Sequence, residues 1–131
     1  MKIVYAYVCG DILHTGHLLQ LENAKALGDK LIVGVLTDKA VMEKKAKPTI
    51  PFRERLRLVQ AIKYVDCVVA QDEYSPLKNI MGIKPDILAE SASHDTKPAD
   101  NYVEGYGGLV ISFPYYPDTS STEIKKKVRN G

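Results

Sequence analysis

Apolar positions along this chain fall into two alternating kinds of run. One kind is short, continuous and rich in β-branched residues, at 3–8, 31–36, 67–70, 86–89 and 109–113. Such runs, bounded by polar residues, Gly or Pro, predict strands buried on both faces. The other kind spaces its apolar residues three and four apart. Over 15–28 these are Leu18, Leu19, Leu21, Ala24, Ala26 and Leu27, with Gly28 placed to close a helix. Pro51 opens a second helical segment to Tyr64, with Leu56, Val59, Ala61 and Ile62 inward and the arginines outward. Shorter helices are predicted from Thr37-Asp38 toward Glu43, from Ser75-Pro76 to Gly82, and over 99–106. A last one runs from the Ser120-Ser121 cap to Val128, with Lys125, Lys126, Lys127 and Arg129 near its C-terminal end, where cations are favoured. Residues 44–51, 90–100 and 114–119 read as loops.

Strands that alternate with helices and are buried on both faces argue for a parallel sheet covered by helices. The expected fold is therefore α/β: a Rossmann-like, five-stranded parallel sheet with helices on both faces. At 131 residues the chain suits one domain, 1–131. In such folds ligands bind beyond the carboxyl ends of the strands, where the strand order switches. The loops after strands one, two, four and five all open at that end.

Composition narrows the partners. A formal net charge of +2 is too small to suggest nucleic acid. The charge is uneven, however. Lys39, Lys44, Lys45, Lys47, Arg53, Arg55 and Arg57 crowd one segment, opposed there by Glu43 and Glu54. That cluster suits a small polyanion, or else a solvated helix face. Cys9 and Cys67 lack metal or redox spacing and read as buried free thiols. No apolar stretch reaches bilayer length and no secretory signal stands at the start, so a cytoplasmic location is expected and no membrane partner.

The segment Gly10-Asp11-Ile12-Leu13-His14-Thr15-Gly16-His17 joins the first strand to the first helix. Unpaired N–H groups and the dipole at a helix start attract phosphate, and Gly16 has no side chain to hold an anion away. His14 and His17, three apart, share a face of the first turn and can both donate to phosphate oxygens. The dipole alone supplies about 0.3–1 kcal/mol. Enzymes lower barriers by about 8–23 kcal/mol. Further charge is needed, and Lys44, Lys45 and Lys47 are its obvious source. Zinc is a competing reading of the paired histidines, but a closed site needs more ligands and only His94 remains. Asp11 either caps the turn or meets a metal. Ser120, Ser121 and Thr122 offer hydroxyls and free N–H groups at the head of the last helix, after strand five and toward the same cleft. The chain has no GxxxxGK[ST] loop, no GxGxxG fingerprint and no Ser/His/Asp or Cys/His arrangement.

At these residues the chain resembles the HxGH nucleotidyltransferase superfamily. GDILHTGH resembles its opening signature, TSSTEIKKK its second, and KPTIPFRERLRLVQAIKYVDCV the cytidylyltransferase branch. Within it, the chain looks most like glycerol-3-phosphate, ethanolamine-phosphate and phosphonate cytidylyltransferases. The resemblance implies transfer of a cytidylyl group from CTP to a phosphate or phosphonate oxygen, direct attack at the α-phosphorus, Mg²⁺ bound mainly through the nucleotide phosphates, and a homodimer. By position it implies that His14, His17, Lys45 and Lys47 stabilise the phosphates. It implies that Cys9, Gly10, Asp11, Gly16, Arg55, Lys63, Ser120, Ser121 and Thr122 contact the nucleotide. Lys44, His94, Asp95 and Tyr115 would face the acceptor. There are departures: Val8-Cys9-Gly10-Asp11 replaces a GxFD loop, Lys63 replaces an arginine, and Glu90-Ser91-Ala92-Ser93-His94-Asp95 replaces a glycine-aspartate turn. These bear on base and acceptor identity, leaving ATP with a phosphopantetheine- or flavin-like acceptor, or a non-catalytic nucleotide binder, as alternatives.

Overall fold

Helices connect the successive strands in the computed structural model, which describes residues 1–91 and 97–114. Among these the order is β1 (Ile3–Val8), α1 (Thr15–Ala26), β2 (Lys30–Leu36), α2 (Asp38–Val41), α3 (Phe52–Gln60), β3 (Cys67–Gln71), α4 (Leu77–Ile83), β4 (Ile87–Ser91), α5 (Lys97–Gly105) and β5 (Leu109–Phe113). The last predicted helix lies outside the described residues.

The five strands form one parallel sheet in the order β3-β2-β1-β4-β5. The order reverses between β1 and β4, so the expected ligand crevice opens above Val8 and Ser91. Alternation along the strands sorts two apolar layers. Val4, Ala6, Val8, Leu31, Val33 and Val35 pack with Leu21, Ala24 and Val59 of α1 and α3. Tyr5, Tyr7, Ile32, Leu36 and Leu88 pack with Ala40, Ile80, Ala99 and Val103 of α2, α4 and α5.

Some expectations shift. β3 and β5 are the sheet's margins and are only partly buried, because each has a neighbour on one side alone. In α1 about two-fifths of Leu18 and of Leu19 is exposed, since Leu21 and Ala24 occupy the stripe that meets the sheet. α3 ends at Gln60 rather than Tyr64, because the chain turns there to enter β3.

Three aspartates close the amino edge of the sheet by one repeated device. Asp29, Asp66 and Asp86 each stand just before a strand. Each side chain accepts from a backbone N–H of the neighbouring chain segment: Asp29 from Lys2 at 2.7 Å, Asp66 from Leu31 at 2.7 Å, Asp86 from Ile3 at 2.8 Å. Each aspartate amide donates back to the carbonyl of that same residue, at 2.8, 3.0 and 2.9 Å respectively. Beneath, Tyr5 reaches from β1 across Gly34 to donate to Gln71 Oε1 at 2.5 Å. A Cβ at Gly34 would collide with the Tyr5 hydroxyl, which is why β2 carries glycine there.

Candidate active site

The carboxyl end of β1 turns into α1 through Gly10, whose φ of +75° is costly for any residue with a side chain. A Cβ there would also stand 3.2 Å from Val59 Cγ2, so the turn packs directly on α3. The chain then reaches His14, the N-cap of α1, in extended conformation. His14 Nδ1 accepts from the Gly16 amide at 3.0 Å, and His17 Nδ1 accepts from the His14 amide at 3.2 Å. The two imidazoles thus play the parts that Ser/Thr and Glu/Gln play in a capping box.

This geometry fixes the tautomers. An Nδ1 that accepts an N–H carries no proton, so each neutral ring bears its proton on Nε2. The rings lie together, centroids 4.1 Å apart and tilted by 45°. Burial holds both imidazoles below the ordinary histidine range. His17 falls to about 4, mainly by desolvation, then through the charges of His14 and Lys45. Near neutral pH the pair therefore offers two uncharged Nε2–H donors rather than two cations.

The charge of Lys45, in the basic loop, is felt at His17 and helps to lower its affinity for protons. Lys44, Lys45 and Lys47 are all exposed and available to a soluble anion. Lys44 and Lys45 continue the last turn of α2, both amides donating to the Val41 carbonyl.

Four expected nucleotide contacts take other roles. The Gly16 amide is spent on His14 Nδ1, because an N-cap side chain closes its own helix start, so it is not open to phosphate. Arg55 is fully buried and turns away from solvent. Its Nη1 donates to the carbonyls of Cys9 and Leu36, both at 2.6 Å, its Nε to the Ile50 carbonyl at 3.0 Å, and its Nη2 to Asp38 Oδ1 at 2.6 Å. Asp11, 4% exposed, accepts from the Ile50 amide through Oδ1 at 2.8 Å. Within one chain, Lys63 lies before β3 at the opposite, amino edge of the sheet, its ammonium 5.2 Å from the centre of the Tyr64 ring. Cys9 sits at the crevice, with its carbonyl held by Arg55, and its thiol, like that of Cys67, is free and half-buried. His94, Asp95, Tyr115, Ser120, Ser121 and Thr122 lie outside the described residues.

One crevice residue escaped the sequence reading. Glu90, 3% exposed, ends the buried part of β4 beside β1, and the Tyr7 hydroxyl donates to its Oε2 at 3.2 Å. The signal was a charged residue closing an apolar strand at its carboxyl end. Among the described residues no group of three or more His, Cys, Asp or Glu could hold a metal, and no helix is long and apolar enough to cross a membrane.

A parallel sheet with this switch point, a histidine-capped helix start and a basic loop beside it define a phosphate-handling α/β domain of the nucleotidyltransferase kind. The cytidylyltransferase-like family profile matches residues 9–127, and the chain belongs to that family. It is 34% identical over 131 residues to the bifunctional protein HldE of Methylobacillus flagellatus and 35% identical over 130 residues to that of Koribacter versatilis. These alignments cover 97% and 96% of this chain but 27% of each relative, so the chain spans about a quarter of the relatives' length. Among solved structures, the lipopolysaccharide core biosynthesis protein of Thermoplasma volcanium superposes with a TM-score of 0.75 at 29% identity, covering 88% of this chain and 97% of that one.

Proposed function

We propose that this single domain transfers a cytidylyl group from CTP to a small phosphorylated alcohol or a phosphonate. The observation that carries the proposal is the pair of neutral, Nδ1-anchored imidazoles at the head of α1 beside Lys45. An acceptor oxygen attacks the α-phosphorus in line. A new P–O bond forms as the α–β bridging P–O bond breaks, and pyrophosphate leaves with that electron pair. The Nε2–H groups of His14 and His17 donate to phosphate oxygens as charge builds, and Lys45 and Lys47 bracket the triphosphate. Neither histidine needs to shed or take up a proton for this. Such chemistry is positioning and charge stabilisation, in which one well-placed donor is worth about 2.7–4 kcal/mol.

Neutral imidazoles and ammonium groups are phosphate donors, not oxygen ligands for a hard cation. Mg²⁺ would enter on the phosphate oxygens of the nucleotide, where it supplies charge neutralisation. Likeness to a lipopolysaccharide core biosynthesis protein supports a sugar phosphate as the phosphorylated alcohol. Cytidine rests on the likeness of residues 63–68 and on the family. Because Asp66 of that run closes the amino edge, the run does not contact the nucleotide of its own chain. ATP is accordingly the second reading.

Purified protein incubated with Mg²⁺, each nucleoside triphosphate in turn and a panel of sugar phosphates, polyol phosphates and phosphonates tests this. Pyrophosphate release with CTP and one acceptor class is expected. Release with ATP alone replaces the cytidylyl reading. Tight triphosphate binding with no release for any pair makes the domain a nucleotide binder.

A further inference from the structure

We infer that Arg55 and Asp11 are positioning residues that latch the basic loop onto the segment carrying His14 and His17. The inference rests on the reading of those histidines and lysines as the phosphate-handling groups.

Both backbone groups of Ile50, where the basic loop ends, are held. Its amide donates to Asp11 and its carbonyl accepts from Arg55 Nε. Asp11 stands three residues before His14, on the same connection between β1 and α1. The start of the basic segment is held by the same guanidinium, through Asp38 at the head of α2. The remaining two bonds tie Arg55 to the carbonyls of Cys9 and Leu36, at the carboxyl ends of β1 and β2. One buried side chain thus grips both ends of residues 38–50 and the carboxyl ends of β1 and β2. Lys44, Lys45 and Lys47 lie between the two gripped ends.

Five donors in a rigid plane suit this task, because four acceptors on three chain segments are met at once. A lysine in the same place keeps the charge but offers a single nitrogen, and leaves buried carbonyls without donors. Loosening the latch lets the loop drift from the histidines. Groups at a reacting centre lose rate steeply when displaced by about an ångström. The influence of Lys45 on His17 gives the drift a readout independent of turnover, because His17 feels Lys45 only while the loop is docked.

The test is a double-mutant cycle of Arg55→Lys with Lys45→Ala, read by kcat/KM and by NMR titration of the His17 ring. Arg55→Lys is expected to lower kcat/KM about tenfold in the natural background and by well under half that, on a logarithmic scale, beside Lys45→Ala. The His17 midpoint should rise in Arg55→Lys toward its value in Lys45→Ala, with His14 titrated alongside as the nearer neighbour. Equal losses in both backgrounds, or an unmoved His17 midpoint, overturn the latch. Should Arg55→Lys fail to fold, Asp11→Ala, which frees the Ile50 amide and leaves the guanidinium in place, is carried through the same cycle. Absence of turnover in the unaltered protein would overturn the proposed reaction, and the His17 titration would then decide the latch by itself.

Discussion

The amino and carboxyl edges of the sheet present backbone groups of opposite polarity, and charged side chains answer each in kind. Strand starts expose N–H groups, which Asp29, Asp66 and Asp86 accept. Strand ends expose carbonyls, and Arg55 donates to those of Cys9 and Leu36. Buried backbone groups have to find partners, a need Arg55 meets at its edge, while the aspartates act mostly at exposed strand starts. The comparison separates two populations of charge that look alike in the sequence. Arg55 and Lys45 belong to one basic cluster, yet only the exposed Lys45 is available to a soluble anion. In the histidines Nδ1 serves the backbone, and under the proposed reaction Nε2–H serves the phosphates.

The sharpest way to break this comparison is to remove chemistry and keep the cap. Glutamine at the third helical position completes a capping box as well as His17 does. His17→Gln should therefore lower kcat/KM by about 10²–10³-fold, the loss expected of one transition-state donor. Its thermal midpoint should stay close to that of the natural protein. A fallen midpoint with unchanged turnover per folded molecule would make His17 a structural cap.

Lys45→Ala comes next. A charge-assisted hydrogen bond contributes about 1.5–3 kcal/mol, so turnover should fall by roughly 10- to 100-fold. Stability should hardly move, because the side chain is exposed. A stabilised protein with normal steady-state kinetics would place the basic loop outside the reaction.

Asp86→Ala tests the opposite edge. It strips the acceptor from the Ile3 amide and should cost about 1 kcal/mol, measured as a shift of the denaturation midpoint in urea. Specific activity per folded molecule should be unchanged. A selective loss of activity would mean that the amino edge communicates with the crevice.

How much of this was legible in the sequence follows from which contacts are local. The bounds of β1 and β5, and the capping of α2 by Thr37, were readable because they depend on neighbouring residues. The histidine pair was readable as the start of the first helix but not as a capping box, since Ser, Thr, Asp and Asn are the usual N-caps. Arg55 was misread because its four acceptors come from three separate places in the chain. A trace of its burial was present nonetheless: Arg55 lies four residues before Val59, on the inward stripe of α3. The aspartate device left a trace as an Asp at or just before the start of three apolar runs, although only the register shows what it accepts. Leu18 and Leu19 read only as apolar helix positions, and their exposure follows from the stripe already filled by Leu21 and Ala24.

The smallest effect expected is the most diagnostic of the comparison, because the two edges should lose stability in separate pH windows. His17 has its affinity for protons lowered on folding, from 6.5 to about 4, chiefly by desolvation. Between those values the unfolded chain binds more protons, so stability falls as pH drops through that range and the contribution is complete above it. His14 is shifted the same way. Protonation at Nδ1 would also take away the lone pair that caps α1. Asp66 is lowered from 3.8 by its hydrogen bond from Lys25 and then by that from the Leu31 amide. Its contribution is present above 3.8 and is lost as pH falls through its lowered value. Thermal midpoints measured from pH 7 to pH 3 should thus decline first at the carboxyl edge and only later at the amino edge. His17→Gln should flatten the first decline and spare the second, and Asp66→Asn should do the reverse. If both variants flatten the same part of the curve, the two edges do not titrate independently.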